Sequence, residues 1–309
     1  MSDQISILIL VFVGAQLALQ APINNGLGRH TGPLTAAAVS FVVGALSLGV
    51  VALLAGHITQ LARITEASPY MLIGGVLGAI FVLTATIVIR TIGAGAVAAG
   101  TITGMLVSSV AIDSAGVLGL DKDPVTVLRL LGCAALIGGT ILIVLRKAPD
   151  EPEAGEGDSR QGISWRPILA VLGMGLASCA VAIQAPINAQ LAEHTGEVNS
   201  AFVSFTVGSV VLVMAVVLTG QARSFAGIRE AHRWQLTGGF MGAINSTAAL
   251  VFVQSVGAGA VTAATIAGQM AASVVIDRFG AFGLEKTAFS AARISGIVLL
   301  AVGVVLVAG

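Results

Sequence analysis

Three amide side chains, Gln16, Gln20 and Asn24, recur at intervals of four residues in an otherwise apolar run near the start of the chain. On a helix that spacing places them on one face. Gln184 and Asn188 repeat the Gln20/Asn24 pair much later, and each pair encloses a proline, Pro22 or Pro186. Amides offer donors and acceptors without charge, so they can hold a polar solute and still release it. They can also bond across helices and simply pin them together, and the sequence leaves both readings open. Counting about 1.5 Å per residue puts Gln16 near mid-depth and Asn24 near the cytoplasmic end. Asn245, Gln269, Thr101 and Thr265 fall near the same middle depth. We therefore expect an uncharged polar substrate site drawn from Gln16, Gln20, Gln184, Asn188, Asn245, Gln269, Thr101 and Thr265.

Two acids sit at matching places, Asp113 and Asp277, and each is followed 16 residues later by an arginine, Arg129 or Arg293. In an antiparallel helical hairpin those positions come together. Each Asp–Arg combination is expected to close a hairpin or to act as a gate. His30 and His194 are expected in loops just beyond the amide-bearing helices, in capping or interfacial roles. Cys133 and Cys179 lie in apolar runs and read as small core residues. No CxxC or HExxH spacing, no catalytic Ser/His or paired-acid arrangement and no phosphate-cradling glycine loop occurs. The chain is thus expected to be no enzyme, to need neither cofactor nor metal, and to bind no nucleic acid.

What must position these residues is a set of membrane helices. Hydrophobic residues make up 56% of the 309 and charged residues only 10%, against about 25% charged in a soluble domain. Spanning helices need roughly 20 mainly apolar residues, and ten stretches qualify: Ile5–Asn24, Leu34–Ala55, Tyr70–Ile89, Val97–Leu118, Thr126–Leu145, Ile168–Asn188, Val198–Leu218, Trp234–Gln254, Val261–Leu284 and Ala288–Val307. Pro33, Pro69 and Pro124 suit helix starts, where a missing N–H is harmless. Tyr70, Trp165 and Trp234 fall at helix ends, where an interfacial aromatic belt sits.

The ten are five written twice. From Gln20 to Gly44, 15 of 25 positions match those 164 residues later, and the same offset aligns Gly93–Val97 with Gly257–Val261. Residues 1–145 form one repeat and 168–309 the second, joined by a Pro-, Gly- and acid-rich linker over 146–167. An odd helix number inverts the second repeat. Twelve of the 15 Lys and Arg fall on the linker's side, so the positive-inside rule makes the linker cytoplasmic and puts both termini outside. Gly74/Gly78, Gly238/Gly242 and Gly100/Gly104 allow close helix approach.

The QAPIN segments, the Gly268–Ser273 run and Ile276–Gly280 resemble the drug/metabolite transporter superfamily, and within it the YdcZ-like branch of bacterial proteins classed as inner-membrane exporters. The resemblance covers both halves and omits the linker. It implies an all-α integral membrane protein of ten transmembrane helices in two inverted five-helix repeats. It also implies a multi-pass inner-membrane exporter that works by alternating access on a small polar or amphipathic molecule. The first copy departs from the pattern, with Gly104-Met105 and Asp113-Ser114 where the second has Gly268-Gln269 and Asp277-Arg278. Small multidrug exporters of the superfamily use a glutamate in their first helix, and none stands in this one. Beyond the lipid bilayer and the solute, the expected state is a monomer or weak homo-oligomer. The alternatives are a non-transporting membrane scaffold or subunit, or a membrane-embedded enzyme.

Overall fold

A computed structural model describes residues 3–119, 122, 124–145, 165–256, 258–286 and 290–308. Its α-helices are α1 (Asp3–Thr31), α2 (Pro33–Leu54), α3 (Ile73–Ala115), α4 (Val127–Leu145), α5 (Trp165–Thr195), α6 (Glu197–Leu218), α7 (Gly238–Val256), α8 (Ala258–Phe279) and α9 (Ala291–Ala308). No strand occurs among the described residues. Seven of the helices are long and apolar enough to cross a membrane, and the shorter Ala291–Val307 is apolar as well. Their outward faces carry Phe12, Leu176 and Leu218 at 71%, 73% and 80% exposure. Side chains of that kind, in such numbers, are stably covered only by lipid.

Several expected boundaries shift. Pro22 and Pro186 lie inside unbroken helices, because α1 and α5 run on to Thr31 and Thr195. His30 and His194 are therefore in last helical turns rather than in loops, where a basic group faces the negative end of the helix dipole. Trp165 to Pro167, expected in the linker, open α5; the rest of the linker lies outside the described residues. Tyr70 and Trp234 sit in short 3₁₀ turns, Pro69–Leu72 and Arg233–Leu236, just ahead of α3 and α7. Helices expected to end at Leu118 and Leu284 stop at Ala115 and Phe279.

The third and fourth predicted helices form the single element α3, broken at Gly93 (φ 78°, ψ 171°). That backbone is open to glycine and strained for other residues. It divides α3 into an arm over 73–92 and a second over 94–115.

The two repeats pack by the same contacts exchanged. A Cβ on Gly104 would strike the carbonyl of Gly175, and one on Gly268 the carbonyl of Val11, its mate at the 164-residue offset. Gly74 and Gly78 lie against Asn188 and Gln184, as Gly238 and Gly242 lie against Asn24 and Gln20. Gly132 and Gly139 on α4 cross Gly303 and Gly296 on α9, again as mates. Phe41 and Phe205, themselves mates, stack with ring centroids 4.9 Å apart. A pseudo-twofold axis therefore runs between Phe41 and Phe205 and through the α4–α9 crossing. Small residues at these crossings supply close van der Waals contact where lipid removes the hydrophobic drive.

The repeats are also inverted. Thr35, at the start of α2, bonds Ser224 beyond the end of α6 (Oγ1–Oγ 2.5 Å), and Asn199, at the start of α6, donates to the carbonyl of His57 beyond the end of α2 (2.8 Å). The start of each helix meets the end of the other. At 22 residues each, α2 and α6 separate the ends of α1 and α5 by about 33 Å, onto opposite faces.

Candidate functional site

Between α1, both arms of α3 and α8 lies a narrow cavity of about 30 Å³, lined by Gln20, Asn24, Thr101 and Gln269 among apolar neighbours such as Phe81, Val82 and Ala98. That volume holds a water molecule or two, so the site is narrow, and most of its lining is buried. No charged side chain lines it. Both repeats build it, since Gln269 comes from α8 and the rest from α1 and α3.

Asn24 is 1% exposed, and neither its Oδ1 nor its Nδ2 has a hydrogen-bond partner among the described residues. An amide left in that condition forfeits about 1–3 kcal/mol, and its oxygen lies against Gly238 on α7 at the edge of the cavity. Gln20, 6% exposed, borders the same space against Gly242. Thr101 bonds back to the carbonyl of Val97 at 2.8 Å, which leaves its oxygen as an acceptor toward the cavity.

The other expected site residues divide. Gln16 donates to the carbonyl of Met241 on α7 at 3.2 Å, tying the first repeat to the second. Gln184 and Asn188 lie on the twofold-related side against Gly78 and Gly74, and the Asn188 Oδ1 is buried without a partner among the described residues. Thr265 lends its backbone to the crossing with Gly14. Asn245 is partly exposed on α7 and does not line the cavity. Asn24, expected nearer the cytoplasmic mouth, also lines the cavity. The helix that carries it was expected to end there and continues for seven more residues.

Behind the cavity wall stands a buried electrostatic joint. Asp277, 3% exposed, forms an ion pair with Arg293, 7% exposed. Its carboxylate also accepts the backbone N–H of Ala94 at 2.9 Å and of Gly95 at 2.8 Å. Those are the first two N–H groups after the Gly93 break. A helix start leaves such donors unsatisfied and carries a partial positive charge, so a carboxylate from the other repeat caps it. Ala94 lines the cavity itself, and the joint therefore fixes one of its walls. Sequence reasoning anticipated the hairpin partner and missed the cap. The signal was the Gly93-Ala94-Gly95 triplet, which frees donors that some acceptor has to meet. On the matched side, Ser109 Oγ lies 3.4 Å from Asp113 Oδ2, and Arg129 has contacts of its own.

Residues 5–142 and 169–306 each match one family model, described as "Putative inner membrane exporter, YdcZ". No curated protein is significantly similar to the chain. A solved crystal structure of another protein aligns over 99% of this chain and 96% of its own, with a TM-score of 0.53 and 15% identity. At that identity the likeness concerns the fold alone.

Proposed function

This chain belongs to the YdcZ family, and from that premise we propose that it is a secondary transporter, exporting a small uncharged polar or amphipathic molecule across the bacterial inner membrane by alternating access. The observation that carries the reading is Asn24, buried and unpartnered beside Gln20, Thr101 and Gln269 in a cavity that both repeats enclose. Inverted-repeat transporters place substrate where the repeats meet and rock one against the other. Amides and a hydroxyl without a nearby carboxylate suit a solute rich in hydroxyl or amide groups better than a cation. Because one chain supplies both walls, a monomer is sufficient.

In this reading the two arms of α3 cross separately, giving ten crossings in repeats 1–145 and 168–309, with 146–167 as the linker. The cytoplasmic side is that of the linker and of most Lys and Arg residues. The cross-repeat contacts support this, because the α1–α2 turn and the 222–229 segment that meet are both assigned to it. Asp277 and Arg293, joined to Ala94 and Gly95, hold one wall in place and must shift when the repeats rock.

A stabilisation screen of the purified protein with uncharged polyols, sugars and amides tests the reading. A ligand present at 100 times its dissociation constant stabilises by about 2.7 kcal/mol. We expect at least one compound to do so, and Asn24→Ala and Gln269→Ala to fold normally but lose the effect. Undiminished stabilisation in both variants would place the site elsewhere. A non-transporting scaffold would show no stabilisation by any member of the panel.

A further inference from the structure

The twofold that relates the repeats gives the narrow cavity a mate, and the mate is more exposed. Ala18, Gln20, Val82, Ala98 and Thr101 are 9%, 6%, 7%, 3% and 2% exposed. Their counterparts 164 residues on, Ala182, Gln184, Ser246, Thr262 and Thr265, are all partly exposed. The difference extends to Ala85 and Gln269, 4% and 8% exposed against partly exposed mates Ala249 and Met105, whereas Val97 and its mate Val261 are equally buried at 6% and 7%. The open side is also the more polar one. Ser246 stands where Val82 does, Thr262 where Ala98 does, and Asn245 where Phe81 does.

Lipid is a poor neighbour for such a set. The side chains of Gln184, Asn245, Ser246, Thr262 and Thr265 make no hydrogen bond among the described residues, and a polar group left bare in hydrocarbon is costly. Their partial exposure points to water. We infer that the protein stands open between α5, α7 and α8, where Gln184, Asn245, Ser246, Thr262 and Thr265 line a wet vestibule that binds the uncharged polar solute in its second, opposite-facing station. The inference rests on the transporter reading above and deepens it. Residues 17–24 of α1 lead toward the cytoplasmic face and residues 181–188 of α5 toward the outer one, so the vestibule belongs to the outer half. In export the solute passes from Gln20, Asn24 and Gln269 to a wall richer in hydroxyls, and the exposures of the two sides exchange.

Cysteine accessibility tests this in right-side-out vesicles, using a small membrane-impermeant cationic thiosulfonate and a parent with Cys133 and Cys179 changed to serine. Ser246→Cys and Thr265→Cys should react more than tenfold faster than Val82→Cys and Thr101→Cys. Ala182→Cys against Ala18→Cys repeats the comparison with minimal change in volume, should a threonine or serine variant fail to fold. Equal, slow reaction at all six would mean a dry groove and overturn the vestibule. Faster reaction at Val82→Cys and Thr101→Cys would reverse its side. Either result leaves the transporter reading standing if the stabilisation screen succeeds, so the two failures are distinguishable.

Discussion

Replacing Asp277 by asparagine removes one charge at the point where three elements meet. The carboxylate serves three donors: the N–H groups of Ala94 and Gly95, at 2.9 and 2.8 Å, and the Arg293 guanidinium. Asparagine offers a single acceptor oxygen, and its NH₂ faces donors. It also strands Arg293, which is only 7% exposed. Breaking a buried pair from one side costs about 3–5 kcal/mol, mostly through the charge left behind. Arg293→Met alone should cost a similar amount. The double variant has no stranded charge, and forfeits chiefly one or two backbone bonds at about 1–3 kcal/mol in all. Equilibrium unfolding in detergent, followed by tryptophan fluorescence, gives the three free energies. A double variant more stable than the sum of the singles by at least about 2 kcal/mol is expected. If the singles add to within about 0.5 kcal/mol, as independent sites do, the joint does not act as a unit and the argument fails.

Three further outcomes follow from the packing and the orientation. Gly14→Ala and Gly268→Ala drive a Cβ into the carbonyls of Thr265 and Val11, whereas Gly173→Ala meets nothing within 4 Å; the first two should lower the yield of folded protein from size-exclusion chromatography and the third should not. Phe205→Ala removes a ring stacked 4.9 Å from Phe41 on the pseudo-twofold axis and should cost about 3–5 kcal/mol in the same unfolding assay. Cysteines at Thr59 and Ala226, both exposed in the paired interrepeat loops, should label from opposite sides of the membrane. Thr59→Cys should react in intact spheroplasts and Ala226→Cys only after lysis, and the reverse pattern would invert the assigned orientation.

Much of the fold could be read from residue types, because a membrane imposes few choices. Runs of about 20 apolar residues announce helices, and the repeated QAPIN and GAGAV segments announce the duplication. The ends were harder. Asn24-Asn25 and His30 read as the exit of a helix, yet α1 carries them to Thr31 because its last turns pack under the segment around Gly227. The Gly93 break was legible as a glycine cluster, but its consequence was not, since the acceptor for the freed N–H groups stands 182 residues away in sequence. The candidate site was half legible. Gln20 and Gln269, picked out by amide type and spacing, line the cavity. Type and spacing could not show that the expected members fall on two sides of an axis, with Gln184, Asn245 and Thr265 away from that cavity. Repeat symmetry fixes which residues correspond, while the departure from symmetry between the more and less exposed sides is a property of conformation.

The central claim is that Asn24 and Gln269 hold a solute in transit. Its most direct measurement is uptake into everted inner-membrane vesicles of a mass-detected panel of uncharged polyols, sugars and amides, without ATP. Vesicles with the native chain are expected to accumulate at least one compound more than tenfold faster than vesicles with Asn24→Ala or Gln269→Ala at equal protein levels. Equal rates in native and variant vesicles, or no difference from vesicles lacking the protein across the panel, would contradict it.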